Sequence, residues 1–342
     1  MGVRICNPCT QKREDEEIIF SNRYKTNNDK NFTLDETPKL NTFNSNNNIT
    51  ESELNKAKII LESSIKQKGG TFQKESISKI LEEINPIANK INLPKEIINN
   101  FNILSIQEPM IKFEDGEIYE GGWNLKNQRN GFGISINKEG NVFKGLWEND
   151  NFGKFGAFID NNGNYYIGEL ENGKAKGKGE MLINNKMKYK GEFKDDLPSG
   201  DGILVNYKDN SVYNGKVING VKDGFGQLKF EDGTIYEGEF KEDKFEGKGK
   251  IIFSNGREYE GEFKNNKMDG NGIFTWEDGK KYIGKYTDNI KQGYGKLSWN
   301  ENKYYEGEWF NNKPHGDGMY FLNGKLLKGK FRFGKIISKK EG

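Results

Sequence analysis

Tyr236-Glu237-Gly238-Glu239-Phe240, the hexapeptide 241–246, Gly247-Lys248-Gly249 and a run closing on Asn255-Gly256 decide the fold of this chain. Alternate residues Tyr236, Gly238 and Phe240 share one parity, and Glu237 and Glu239 the other. Further on, Gly247, Gly249, Ile251 and Phe253 alternate with Lys248 and Lys250, and the next copy repeats this with Gly270, Gly272, Phe274 and Trp276. A period of two with polar residues between marks a half-buried strand. A helix would scatter these residues around its circumference and lose about 1 kcal/mol at each glycine relative to alanine.

Working outward, aromatic-x-Gly recurs with its glycine at positions 121, 145, 168, 191, 215, 238, 261, 284 and 307, and in a degenerate copy, Leu327-Lys328-Gly329. The intervals are 24, 23, 23, 24, 23, 23, 23, 23 and 22 residues, so the chain is a tandem repeat from 119 onward. Pairing residue 254 with 258 leaves a three-residue loop in which Gly256 takes the left-handed position, and Asp115-Gly116, Asp232-Gly233 and Asp278-Gly279 stand at the same place. That register sets Phe240 between Gly226 and Gly247 on its neighbours. The glycines would then make room for rings lying flat along the sheet, since β propensity alone would exclude them.

The pattern resembles the MORN (membrane occupation and recognition nexus) repeat, YxGxW/F…GxG…DG, over about two thirds of the chain. The resemblance implies an antiparallel array of β-hairpins. The fold expected is mainly β: an elongated, twisted, single-layer antiparallel sheet over 110–332, preceded by a short α-helical region. Some nineteen strands at about 4.8 Å spacing would make a rod on the order of 85 Å long. Gly153-Lys154-Phe155-Gly156 in place of GxG, and Leu170 in place of an aromatic, point to a local kink or weak point in repeats two and three.

The N-terminal third differs. Only three of the 43 glycines fall before residue 116, at positions 2, 69 and 70. Residues 1–20 read as an acylation segment, 21–48 as an Asn-rich disordered linker, and 49–108 as a helical cap; 333–342 is expected to be a tail. Thr50 and Glu53 form a capping box for a helix stopped at Gly69-Gly70. A second helix carries Ile77, Ile80, Leu81 and Ile84, and a third starts at Pro94. Together they would bury the open first strand of the array.

With 53 basic and 51 acidic side chains, the chain has no general attraction for nucleic acid. It contains no run of 18 apolar residues and no signal-peptide h-region, and its two cysteines cannot form a disulfide scaffold. Both cysteines lie in Met1-Gly2-Val3-Arg4-Ile5-Cys6-Asn7-Pro8-Cys9, which marks Gly2 for myristoylation and Cys6 and Cys9 for palmitoylation. Cys6 stands where the myristoylation pattern wants Ser or Thr. A zinc half-site or redox pair at these cysteines competes with that reading, but the only other zinc-ligand type of its kind, His315, is read as an exposed loop residue.

No catalytic site, cofactor or metal site is legible. Paired acids such as Glu237 and Glu239 read as a solvated face, and the GxG motifs open no helix. Lipid-kinase and methyltransferase domains known beside such arrays would not fit in the residues that follow the last strand. The expected function is a non-enzymatic scaffold of the cortical or ciliary cytoskeleton, intracellular and tethered to a membrane by its acyl chains. Direct phospholipid binding, or a regulatory role on a lipid kinase, are the alternatives. The partner, a helix or extended peptide, would lie in a groove lined by Tyr119, Trp123, Trp147, Tyr189, Phe193, Tyr236, Phe240, Tyr259, Phe263, Tyr282, Tyr305 and Trp309, a ladder expected to stay partly exposed. A homodimer is a further arrangement considered.

Overall fold

The computed structural model describes residues 70–72, 77–84, 88, 93 and 106–339. The expected acylation segment, the linker, and the helices beginning near Thr50 and at Pro94 lie outside the described residues. What is described is mainly β: 22 strands, each antiparallel to its paired neighbour, in two compact units that divide between Pro198 and Ser199.

Each repeat is a hairpin, and the copy at 235–252 shows how it is made. Tyr236 faces Ile251, Gly238 faces Gly249 and Phe240 faces Phe245, with Glu242 and Asp243 forming a two-residue turn. Both turn residues are left-handed, at φ 48° and 66°, the type I′ geometry whose twist matches that of the strands. Asn265-Asn266, Asp288-Asn289 and Asn311-Asn312 make the same turn, and Asn and Asp tolerate it best. This second class of turn was not read from the sequence. Between Gly238 and Phe240 the returning strand carries extra residues, a bulge that contains Gly247 at φ +62°.

The long turns are as expected, displaced by one residue. Phe253 N–H donates to the Arg257 carbonyl at 2.8 Å, enclosing 254–256 with Gly256 at φ +78°. In repeats two and three Gly145 faces Gly156, Phe143 faces Phe158, and Leu170 faces the small Ala175. The register shifts between Gly145 and Trp147 and between Gly168 and Leu170 as in the later copies, but Leu170 has no partner on the Asn151–Ile159 strand, whose pairing with Tyr165–Glu171 begins at Phe155 and Glu169. At the C-terminal end, Lys335–Lys339 is a strand paired with Lys325–Arg332, where a tail had been expected.

In the unit before Ser199, the first repeat is edged by a strand, not by helices: Ile106–Lys112 pairs with Ile118–Trp123, and Thr71–Phe72 pairs with Ile106–Lys112. Helix α1 (Ile77–Ile84) covers a sheet face instead. Its Ile77 and Leu81, one helical turn apart, are buried with Ile136, Val142, Ala157 and Ile159. Those four belong to the face opposite the aromatic rings, since Ile136 pairs with Ile118 and Val142, and Ile159 with Val142. Glu120 on the same face accepts the Ile77 N–H at 2.9 Å, a carboxylate at the helix N-terminus.

Candidate functional site

The aromatic ladder is a core and not an open groove. None of its twelve residues is more than 4% exposed, with Tyr119, Tyr236, Tyr259 and Tyr282 at 0%. This corrects the expectation of partial exposure. The geometry explains it. Each tyrosine ring lies along its own strand, and its hydroxyl donates to the carbonyl three residues on: Tyr236 to Glu239 at 2.8 Å, Tyr259 to Glu262 at 3.0 Å, Tyr305 to Glu308 at 2.8 Å, Tyr119 to Gly122 at 2.9 Å. That carbonyl lies at the bulge, where the strand ladder is interrupted.

The ring covers two glycines at once. A Cβ on Gly238 would come 2.5 Å from the Cα of Gly249, and one on Gly249 would come 2.6 Å from the Tyr236 hydroxyl. The notion that glycine makes room for a flat ring is therefore right, but the ring is the tyrosine. Phe240 faces Gly224 and Phe245, not Gly226 and Gly247. Successive rings then meet edge to face: Tyr236 with Phe240 at 5.0 Å and with Phe263 at 5.2 Å, Tyr282 with Trp309 at 5.1 Å. Burial pushes the hydroxyls of Tyr236, Tyr259, Tyr282 and Tyr305 well above the usual tyrosine range.

A second row, missed by sequence reading, lies on top of the rings. It begins at the residue that faces the fifth position of the repeat, aromatic in most copies: Arg129 opposite Trp123, Phe152 opposite Trp147, and then Ala175, Phe245, Met268, Lys291 and Pro314. Phe245 stacks on Tyr236 at 3.7 Å and 10°, and the Arg129 guanidinium lies 4.0 Å from the Trp147 centroid. The 23-residue spacing of this row was the available signal, although its side chains differ from repeat to repeat.

On the other face of residues 199–339 cross-paired charged side chains are interspersed with exposed Phe225, Ile283 and Tyr294. Lys250 bridges Glu258 at 2.8 Å and Lys296 bridges Glu306 at 3.4 Å. Exposed pairs of this kind contribute about 0.2–1 kcal/mol each. Glu239 and Glu262 do more than sit in solvent, because they accept the backbone N–H of Lys248 at 3.2 Å and of Asn271 at 3.1 Å and so brace the bulge.

His315 is not the exposed loop residue expected. It lies in the strand Lys313–Leu322, half-buried between Phe310 at 5.5 Å and Phe333 at 5.2 Å. Gly2, Cys6 and Cys9 lie outside the described residues. Among the described residues no group of three or more His, Cys, Asp or Glu side chains could hold a metal ion.

A run of β-hairpins stacked on a shared aromatic core defines a repeat protein of the hairpin-array class. The MORN repeat model matches seven consecutive copies, at 166–187, 189–207, 213–235, 236–256, 259–281, 282–302 and 305–325, so residues 166–325 are a run of MORN repeats. The two copies before residue 166 fall outside that match yet keep its geometry, with Tyr119 bonded like the later tyrosines. No curated protein sequence matches the chain. Among solved structures, the wild-type TCP10 domain of Danio rerio CPAP is similar at 11% identity and TM-score 0.33, over 68% of this chain and 99% of that one. The TCP domain of Drosophila melanogaster SAS-4, solved in complex with a proline-rich motif of Ana2, is similar at 15% identity and TM-score 0.30, over 46% and 85%.

Proposed function

We propose that this chain is a non-enzymatic scaffold whose repeats bind a partner protein, held at a membrane by acyl chains on Gly2, Cys6 and Cys9, in the cortical or ciliary cytoskeleton. The observation that carries the scaffold reading is the division of labour between two layers of one face. The twelve ladder residues are buried and keep the hairpins stacked. The row above them, including Phe245 and Lys291, differs in side chain from repeat to repeat and brings apolar and cationic groups onto the rings. Ladder residues thus shape the floor, and a helix or extended peptide would touch the row above it. Membrane tethering is supported by the placement of both cysteines beside Gly2, since one myristoyl chain anchors only marginally and a second acyl chain holds.

A second reading, direct binding of anionic phospholipid by the array, has one observation in its favour. Acidic and basic residues alternate on the Glu237 face, whereas the ring face carries Lys222 and Lys291 over aromatic rings.

The test compares substitutions on the two faces of well-folded protein. Phe245→Ser with Lys291→Glu should cut recovery of partners co-precipitated from the native cell by roughly tenfold, the loss of one or two interface anchors. Glu237→Gln with Glu260→Gln on the opposite face should leave recovery unchanged. The reverse result would place the binding surface on the charged face. Flotation of unacylated chain with anionic vesicles would favour the phospholipid reading.

A further inference from the structure

Within residues 199–339 the strand positions facing the rings in the later repeats carry no carboxylate; Lys222 is paired with the turn residue Asp243 at 2.8 Å, and the cations farther along lie against aromatic rings. Lys280 Nζ is 4.4 Å and Lys291 Nζ 4.9 Å from the Trp276 centroid, so two ammonium groups share one indole. Lys303 Nζ lies 4.8 Å from the Trp299 ring, and the Arg257 guanidinium 5.5 Å from Phe253. Arg257, Lys280 and Lys303 stand 23 residues apart, at the end of successive long turns. Such a margin suits a ligand that offers a row of carboxylates followed by apolar side chains.

The chain contains one such segment. Glu14-Asp15-Glu16-Glu17-Ile18-Ile19-Phe20 is its only run of more than two consecutive acids, and three large apolar residues follow directly. The dimensions agree. Arg257 and Lys303 are four strand spacings apart, about 19 Å, and seven extended residues span about 23 Å.

We infer that Glu14–Phe20, which lies outside the described residues, docks on this margin of its own chain. Its carboxylates meet Arg257, Lys280 and Lys291, and Ile18, Ile19 and Phe20 continue along the margin toward Lys303, against Trp276 and Trp299, both half-buried. The contact is a charge-assisted one at the surface and weakens with salt, because the Debye length is about 10 Å at 0.1 M. It does not depend on whether any partner uses the same face.

Carbodiimide coupling of the full chain at low salt, with peptide mapping of the monomer band, tests it. Amide bonds should join Glu14, Asp15, Glu16 or Glu17 to Lys280 or Lys291. Their yield should fall roughly tenfold in 0.5 M salt, where the Debye length is about 4 Å. Coupling chiefly to Lys248 and Lys250 on the opposite face, coupling only in the dimer band, or none at all would overturn the inference. A second measurement avoids coupling chemistry. With 5-fluorotryptophan incorporated, E14Q/D15Q/E16Q/E17Q should shift the ¹⁹F signals of Trp276 and Trp299 and leave those of Trp123 and Trp147 in place. Unmoved signals at Trp276 and Trp299 would also overturn it.

Discussion

At the scale of the residue, the repeat depends on glycines that serve different needs. Gly249 leaves space for the Tyr236 ring, and Gly279 supplies a left-handed turn at φ +82° with nothing within 4 Å of its would-be Cβ. Substitution by alanine should separate the two. Gly249→Ala forces a methyl to within 2.6 Å of the Tyr236 hydroxyl and 2.7 Å of its ring, so the ring must leave its seat on the strand. The expected loss is about 3 kcal/mol or more, overpacking combined with a broken buried hydrogen bond. Gly279→Ala should cost about 1–2 kcal/mol, the left-handed penalty alone. Denaturant unfolding of both variants checks the order, and equal losses would mean that ring space is not what the GxG glycine provides. The first glycine of the motif was assigned in sequence to ring space as well; in the structure Gly247 instead carries the positive φ of a bulge.

At the scale of the element, the hairpins are alike but their outer faces are not. Glu237, Lys250 and Glu260 lie in register on the charged face of the later unit, while Ile134, Val142, Ala157 and Ile167 belong to that same face in the earlier one. A face of isoleucine, valine and alanine needs a cover, and α1 supplies it with Ile77, Leu81 and the partly buried Ile80. Leu81→Ala should therefore destabilise this packing by about 2–5 kcal/mol. Because each hairpin of a repeat protein is stabilised mainly by its neighbours, the effect should stay local. Amide exchange should accelerate over 132–159 while the strands between Glu258 and Phe310 keep their protection. Acceleration of both in equal measure would show the array to unfold as one cooperative block.

For the whole molecule, the proposed attachment and the proposed binding surface fall on separate stretches. The array has a net charge too near balance to hold the chain on a membrane by charge alone, and the run Glu14–Glu17 follows Lys12-Arg13 closely enough to offset it. Acyl chains are then the proposed source of attachment. Gly2→Ala should move the protein into the soluble fraction, and Cys6→Ser with Cys9→Ser should leave weak, reversible attachment, as expected of a single myristoyl chain with a binding constant of about 10⁴ M⁻¹. Cell fractionation measures this. Variants that fractionate like wild type would show that lipidation does not localise this protein.

The sequence alone established the period, the alternation and the left-handed glycine of the long turn, because each is a local property of a few neighbouring residues. It also put the ladder residues on one face, since parity places Tyr236, Phe240 and Ile251 together. Parity does not say which way a side chain leans. Only the tertiary structure showed the tyrosine rings folded down over Gly238 and Gly249 and tied to the Glu239 carbonyl, which turns an apparent open groove into a closed core. The cover of α1 over Ile136, Val142 and Ile159 was likewise hidden, because its contacts join residues more than fifty positions apart. Such contacts form when matching surfaces are brought together by the chain path, and no local pattern of residues records that path.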